Sequence, residues 1–203
     1  MPASSLRLIR PALAAAAVAG LLGAAVAPAA AAKAQPVRTA IAAAAAIQTQ
    51  VVVGPLSQAG QESVAKCPSG TAVLSGGYHA DSFSRSGGGD PFDGVRTDAP
   101  LSDGSGWAAR LASGRTYARA VCVPNAEAPR VASGPVSGYK ATSTATCPSG
   151  TRAVGGGYNS HGWFKDGYGE SQDAVIASAP TANGTGWYAI QFEGRVEARA
   201  LCR

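Results

Sequence analysis

The stretch CPSGTAVLSGGY at residues 67–78 recurs as CPSGTRAVGGGY at residues 147–158. Working outward from this pair, residues 54–123 align with residues 134–203 without a gap, and 29 of the 70 aligned positions are identical. The chain therefore carries one module twice. A duplication of this kind predicts a pseudo-twofold object with a seam between its halves, and such a seam is a natural place to bind a ligand or partner.

Turn signals and alternating patterns predict that both copies consist of short strands. Asp103-Gly104 and Asn183-Gly184 are hairpin turn signals at matching positions. The last strand of each copy alternates small apolar residues with polar ones, which predicts one buried face. We expect about five strands per copy. The predicted fold class is all-β, with two pseudo-symmetric small sheet or sandwich modules preceded by an extended N-terminal arm.

The four cysteines predict one disulfide in each module. An even number of cysteines in an exported chain is typical of disulfides. Each copy has one early and one late cysteine, 55 positions apart, so the repeat selects Cys67–Cys122 and Cys147–Cys202. Closing loops of this length stabilises each module by about 4 kcal/mol in the chain-entropy model. The spacing does not fit zinc, because there is no CxxC motif and the two histidines are far apart in the sequence.

The N-terminal region predicts export. Residues 1–34 have basic residues followed by an apolar run and small residues, which indicates a secretory signal peptide with cleavage after Ala30, Ala32 or Ala34. The predicted location is secreted and extracellular. The predicted organisation continues with an arm at 35–53, module 1 at 54–123, a linker at 124–133 and module 2 at 134–203. Without the signal the net charge is near +2, which gives nucleic-acid binding little support.

The repeat gives no support for catalysis. His79 aligns with asparagine and His161 with aspartate, so neither histidine is duplicated. We therefore predict no enzymatic activity, no catalytic residue and no cofactor. The aligned acidic pairs Asp90/Asp93 and Glu170/Asp173 lie in glycine-rich loops. These pairs leave two interpretations. Either they bind calcium, for which two carboxylates are a weak signal, or they form hydrogen bonds that stabilise turns; we predict no metal.

Two regions predict contacts with partners. In the arm, alternating β-branched residues indicate a strand that adds to a partner's sheet edge or groove, with a frayed leader as the alternative. In the loops, exposed aromatic residues are typical of contacts to protein or sugar, with loop anchoring as the alternative. The predicted arm contacts are Ile41, Ile47, Thr49, Val51 and Val53, and the predicted loop or cleft contacts are Phe83, Phe92, Trp163, Phe164 and Tyr168.

The pattern CPSGT, GGY, AP, GxGW and AxC, carried twice after a signal peptide, resembles small secreted proteins of actinobacteria. Among these it most resembles the UmbB-type adaptors of umbrella-shaped antibacterial toxin particles, over residues 35–203. The resemblance implies a non-enzymatic adaptor that joins a large repeat-containing toxin subunit to a lectin-like subunit. It also implies that a loop of the large subunit enters the inter-module cleft and that the arm binds the lectin-like subunit. The alternative hypothesis is a free extracellular module that binds cell-surface or cell-wall glycans.

Overall fold

The computed structural model describes residues 46–85, 89, 93–168 and 172–203. Within these residues the chain forms twelve strands and one short 3₁₀ turn at Asn125–Glu127. The strands are β1 Gln50–Val53, β2 Glu62–Lys66, β3 Thr71–Ser82, β4 Val95–Pro100, β5 Gly106–Leu111, β6 Arg115–Pro124, β7 Arg130–Ser133, β8 Thr142–Thr146, β9 Ala153–Gly162, β10 Val175–Pro180, β11 Gly186–Gln191 and β12 Arg195–Cys202. The prediction of an all-β fold is confirmed. Among the described residues, no helix is long and apolar enough to cross a bilayer.

Each module is a sandwich of two three-stranded antiparallel layers. In module 1 the layers have the orders β1-β6-β3 and β2-β5-β4, and in module 2 the corresponding orders are β7-β12-β9 and β8-β11-β10. Strand β4 of module 1 also pairs with β9 of module 2. This pairing fuses one layer from each module into a six-stranded sheet, β2-β5-β4-β9-β12-β7.

The core of each sandwich lies on the predicted small face of the last strand. Thr116, Ala118, Ala120 and Cys122 on β6 are buried, as are Val196, Ala198, Ala200 and Cys202 on β12. Both predicted disulfides are present, Cys67–Cys122 and Cys147–Cys202. Gly76 lies under the Trp107 ring, and a Cβ atom at this position would overlap that ring. Small side chains and this glycine let the two layers approach closely around the disulfide.

The structure extends each module beyond its predicted N-terminal boundary. The predicted arm ended at residue 53, but its last four residues form β1, which pairs with β6 from Gln50 opposite Cys122 to Val53 opposite Arg119. The predicted linker likewise contains β7, which pairs with β12. Val52 packs against the core cluster of module 1. Residues 50–53 are therefore an edge strand of module 1, and each module has six strands instead of about five.

The two modules use different surfaces where they meet. Pairing joins β4 to β9, with Thr97 opposite Asn159 and Asp98 opposite Tyr158. A twofold relation would repeat this contact between β10 and β3. In the described part of the chain, however, β3 and β10 are the outer strands of separate three-stranded layers. The two modules repeat each other in strand order and disulfide, as predicted, but the contact between them does not follow the twofold relation that the duplication suggested.

Candidate functional site at the junction of the modules

The junction places an edge of module 1 across the outer face of module 2. We call this outer face of β9, β12 and β7 the docking face, defined by Gly157, Asn159, Arg199, Leu201 and Val131. Its side chains point away from the disulfide core, because they alternate with the buried residues of the same strands. A Cβ atom at Gly157 would overlap the carbonyl oxygen of Asp98 and would lie 2.8 Å from the Ala99 Cα atom. Glycine at this position is therefore needed for β4 to approach.

The apolar part of the junction joins the two cores. Leu201 is 1% exposed although it lies on the outer face of module 2, and it belongs to the core cluster of module 1. Val131 packs against the same cluster. Its Cγ2 atom lies 3.6 Å from the position of a Cβ atom at Gly104, in the turn between β4 and β5. Module 1 therefore buries side chains that module 2 presents outward, which stabilises the pairing of the modules.

The polar part of the junction is a chain of charged groups on β9 and β12. Arg199 donates from Nη1 to the carbonyl oxygen of Pro100 at 2.8 Å, and its Nε pairs with Glu197 Oε1 at 3.0 Å. The Nε2 atom of His161 lies 2.8 Å from Glu197 Oε2. Across the junction, the Thr97 hydroxyl donates to Asn159 Oδ1 at 2.8 Å. Module 2 thus holds its arginine in position to bind backbone of module 1.

The environment of Glu197 favours its charged form. Burial acts to raise the pKa of this carboxyl, but hydrogen bonds from Arg199 and His161 outweigh burial, and the pKa lies below its ordinary value. Burial has the opposite net result at Asp98, where it raises the pKa despite a hydrogen bond of 2.6 Å from the Trp107 indole. The two carboxyls on either side of the junction therefore differ, since Glu197 is paired with the Arg199 guanidinium, whereas Asp98 accepts from a neutral indole.

A polar pocket of about 340 Å³ opens where the modules meet. Residues of both modules line it: Glu62, Thr97, Leu101, Ser102, Asp103 and Ala108 from module 1, and Asn159 and Arg199 from module 2. Glu62, Ser102 and Asp103 are exposed at its rim, whereas Thr97 is 2% exposed. A pocket with carboxylates at the rim and an amide and a guanidinium deeper inside can form hydrogen bonds to an extended peptide segment. This is the candidate binding site.

Trp163 was predicted as a loop contact, and the structure places it at the junction. A Cβ atom at Gly94 of module 1 would lie 2.6 Å from the Trp163 Cζ2 atom. The Arg96 guanidinium carbon lies 5.6 Å from the centre of the Trp163 ring, within range of a cation–π contact. Trp163 is half-buried in this position. Its indole therefore helps to hold the modules together.

A second pocket, of about 280 Å³, lies on module 2 beside Trp163. It is lined by Tyr139, Gly162, Trp163, Phe164, Glu193, Gly194 and Arg195. Phe164 is 46% exposed and Tyr139 is 60% exposed. Of the predicted loop contacts, the structure thus brings Trp163 and Phe164 together. Phe83 lies on the equivalent loop of module 1 at 39% exposure, and Tyr168 is 95% exposed but does not line the pocket.

The predicted arm contacts divide at the start of β1. Ile41 and the loop residue Phe92 lie outside the described residues. Ile47 is 40% exposed, ahead of the strand. Thr49, Val51 and Val53 are exposed, with Val51 at 63% and Val53 at 52%. The side chains of Val51 and Val53 therefore remain available on the outer face, although their backbone is already paired with β6.

The acidic loop residues that the structure describes stabilise turns. Asp93 accepts hydrogen bonds from the backbone N–H groups of Ser113 at 2.9 Å and Gly114 at 2.6 Å. Asp173 accepts from the backbone of Glu193 at 2.9 Å and from Gln191 Nε2 at 2.6 Å. Of the two interpretations, these contacts favour turn stabilisation. Asp90 and Glu170 lie outside the described residues, and the residues described hold no cluster of three or more His, Cys, Asp or Glu suited to a metal ion.

Apart from Trp163, the sequence did not identify the polar residues of the junction. Thr97, Asn159 and Glu197 were passed over because they are not repeated: their counterparts in the other copy are Ala177, His79 and Tyr117. Unrepeated polar residues next to repeated glycines were the available signal. In a duplicated protein whose modules contact each other on one side only, the residues specific to one copy are those expected at the contact.

No family model, curated protein or solved structure matches this chain.

Proposed function

We propose that the protein is a secreted, non-enzymatic adaptor that binds an extended segment of a protein partner in the pocket between its modules. The observation that carries this proposal is that both modules build one polar pocket, with exposed carboxylates at its rim and Arg199 and Asn159 deeper inside. Such a site supplies hydrogen bonds to the backbone and polar side chains of a peptide loop. The two disulfides agree with an oxidising compartment.

The arrangement of potential catalytic groups also supports a binding function. His161 is engaged by Glu197, and His79 lies 6.2 Å from the ring of Tyr117. All four cysteines are in disulfides. These groups thus have structural partners. The proposal therefore assigns binding to the junction and no chemistry to it.

A second partner would bind at the N-terminal side of module 1. Residues 46–49, directly ahead of β1, are exposed and lie outside the strands, and Val51 and Val53 add exposed apolar side chains next to them. In the toxin-particle form of the proposal, a loop of the large repeat-containing subunit occupies the pocket and a lectin-like subunit binds the arm. Strand β1 belongs to one layer of module 1 and the pocket is lined from the other layer, so the proposal allows both partners to be held at once.

The test is capture of partners from the culture medium of the producing cells, with identification by mass spectrometry. Glu62→Arg should abolish capture of the pocket partner, because it reverses a charge at the rim. Thr142→Arg is the matched control, since residue 142 is the equivalent position of module 2 and lies outside the pocket. Ile47→Asp together with Thr49→Asp should abolish only the second partner. Loss of neither partner with either variant would refute the proposal.

The aromatic pocket of module 2 favours glycan binding as the second candidate function. Tyr139 and Phe164 are exposed, and Arg195 lies beside them together with Glu193, which pairs with Lys140 and accepts from the Tyr139 hydroxyl. Aromatic rings with adjacent polar groups are suited to sugar rings. Titration with cell-wall polysaccharide fragments tests this function. Binding that is lost in Phe164→Ala but kept in Glu62→Arg would favour the glycan hypothesis over the adaptor hypothesis.

A further inference from the structure

At the junction, a hairpin of module 1 lies on the outer face of module 2. Because the chain is duplicated, both the hairpin and the face have an equivalent elsewhere on the molecule. The first half of this contact is the docking face of module 2, and its counterpart on module 1 is mostly exposed among the residues that the structure describes. We call this counterpart the free face, defined by Gly77, His79, Arg119, Val121 and Val51. The second half is the β4–β5 hairpin of module 1, and its counterpart is the β10–β11 hairpin of module 2. We infer that two copies of this chain associate head to tail, with the β10–β11 hairpin of one copy on the free face of the other.

The free face reproduces the geometry of the docking face row by row. Arg119 stands between Val53 and Gly77 across the layer, as Arg199 stands between Ser133 and Gly157. A Cβ atom at Gly77 would meet nothing within 4 Å, whereas one at Gly157 would overlap the strand docked there. The structure of module 1 alone therefore gives no steric reason for a glycine at position 77. A strand docked on the free face would supply that reason.

The β10–β11 hairpin presents the groups that such a contact uses. At the junction Arg199 binds the carbonyl oxygen of Pro100, and the Tyr158 hydroxyl donates to the carbonyl oxygen of Val95 at 3.3 Å. The equivalent carbonyls belong to Pro180 and Val175, and the residues that would bind them are Arg119 and Tyr78. Pro180 and Tyr78 are exposed, as is Arg119, and Pro100 is fully buried. The hydrogen-bonding groups of the second contact are thus present on both sides.

A pair of matched substitutions favours a second copy over an unrelated strand. At the junction the large Trp163 ring packs on Gly94, which leaves no room for a side chain there. In the other copy of each element, the tryptophan is Phe83 and the glycine is Ala174. The smaller ring would leave space for the alanine methyl group. The smaller ring of Phe83 on the face is thus matched by the larger side chain of Ala174 on the hairpin, as close packing between the two surfaces requires.

Three differences make the second contact weaker than the junction. The hydrogen bond between Thr97 and Asn159 has no equivalent, because Ala177 would face His79. The Arg152 side chain lies against the β10–β11 turn, with its Nη1 atom 3.7 Å from the position of a Cβ atom at Gly184, where module 1 has Ala72. The contact between copies also lacks the covalent linker. Association should therefore depend on concentration, and the contact is heterologous, so it permits open chains of copies.

Sedimentation velocity of the purified protein, from about 1 μM to about 1 mM, tests the inference. We expect a reversible shift from monomer to larger species. Gly77→Val should remove that shift without lowering the melting temperature, because position 77 is an open strand site in the monomer. Thr146→Val, an exposed strand position outside both surfaces, should leave the shift unchanged. A protein that stays monomeric throughout, or that associates equally well with Gly77→Val, would overturn the inference.

Complementation tests the head-to-tail order. Gly77→Val blocks the free face, and Ala177→Lys blocks the hairpin, so each variant alone should be monomeric. Mixed together, they should form a 1:1 complex, because one retains the face and the other retains the hairpin. Phe83→Trp should weaken association at least tenfold, and adding Ala174→Gly should restore it. Failure of the mixture to associate, or of Ala174→Gly to rescue Phe83→Trp, would contradict the proposed contact.

Discussion

Modules 1 and 2 have the same strands, the same disulfide and the same tryptophan over a glycine, yet their outer faces differ in environment. On β12 the outer residues Arg199 and Leu201 are covered by module 1, and Leu201 is 1% exposed. On β6 the equivalent residues are Arg119, which is exposed, and Val121, which is half-buried. The burial of the core side chains is therefore fixed by the sandwich itself. The burial of the outer side chains depends on which surface lies against each module.

The outer face of module 2 carries polar residues that bind module 1 and that module 1 lacks at the equivalent positions. Module 2 carries Glu197, His161 and Asn159 where module 1 carries Tyr117, Asp81 and His79. The first set holds Arg199 in position and bonds to Thr97. Gly157, which allows the approach, is present in both modules. These polar residues act together with the buried Leu201 and with Trp163 to hold module 1 on this face.

The largest effect is expected from the disulfides. Replacing Cys67 and Cys122 with alanine should lower the free energy of unfolding by about 4 kcal/mol, and the same change in Cys147 and Cys202 should cost about as much, because both loops span 55 residues. Urea unfolding of the two variants measures this. Unequal losses would mean that one module depends on the junction for its stability more than the other does.

The next effect separates the two glycines of the outer faces. Gly157→Val should cost about 2 to 3 kcal/mol of stability, since its side chain would push against the β4 backbone. Gly77→Val should change stability by less than about 0.5 kcal/mol. Thermal unfolding at low protein concentration, where copies remain separate, makes the comparison. Equal losses in the two variants would show that β4 does not require the glycine.

Removal of β1 should have an intermediate effect. If residues 35–53 were a separate arm, as the sequence predicts, truncation to Gly54 would leave module stability nearly unchanged. The structure predicts instead a loss of about 2 kcal/mol, because Val52 leaves the core and β6 loses its edge partner. A chain that starts at Gln50 is the control, since it keeps the strand. If both truncated chains melt at the same temperature, β1 does not contribute to module 1.

The smallest effect is the pH dependence that Glu197 gives to the stability of module 2. The folded-state pKa of Glu197 lies below its ordinary value of 4.5, so its charged form stabilises the fold at neutral pH, and this stabilisation is lost as the pH falls below that value. Glu197→Gln should therefore cost on the order of 1 kcal/mol at neutral pH and almost nothing at acidic pH. Urea unfolding at a series of pH values measures the difference.

Tyr117→Gln is the control for this pH series. It alters the equivalent position of module 1, where no carboxylate is present, so its effect on stability should not change with pH. If the cost of Glu197→Gln stays constant from neutral to acidic pH, the contacts with Arg199 and His161 do not stabilise the carboxylate.

The fold could be predicted from sequence because its determinants are local or repeated. Equal cysteine spacing identified both disulfides, and Asp103-Gly104 and Asn183-Gly184 gave two hairpin turns, with both glycines at positive φ. The alternation of Ala118, Ala120 and Cys122 identified the buried face. These signals are set by backbone geometry and strand period, which act within a few residues.

The sequence predicted a strand in the arm, but the pairing of β1 and β7 with their own modules escaped prediction because the repeat is weak there. Between residues 47–53 and 127–133 only Val51 and Val131 match, so the alignment ended at Gly54. These strands pair through backbone hydrogen bonds, which place few demands on side chains. The alanine-rich segment before them then suggested a separate arm.

The junction could not be predicted because it joins residues that are far apart in sequence and unlike in the two copies. Arg199 binds the carbonyl oxygen of a residue 99 positions away, and a backbone acceptor has no sequence signature. Trp163 looked like a contact residue because it lies in a glycine-rich loop. Its partner Gly94 offers only an absence of side chain, which gives no positive signal.

The disulfides also determine how the molecule bears a mechanical load. A pull applied at residue 46 and residue 203 passes from Cys67 directly to Cys122 and from Cys147 directly to Cys202 through covalent bonds. Residues 68–121 and 148–201 are therefore outside the line of tension. The load falls first on the hydrogen bonds between β1 and β6, and only the segments outside the two covalent loops can lengthen. Most of each sandwich would therefore stay folded when the protein is pulled between two bound partners.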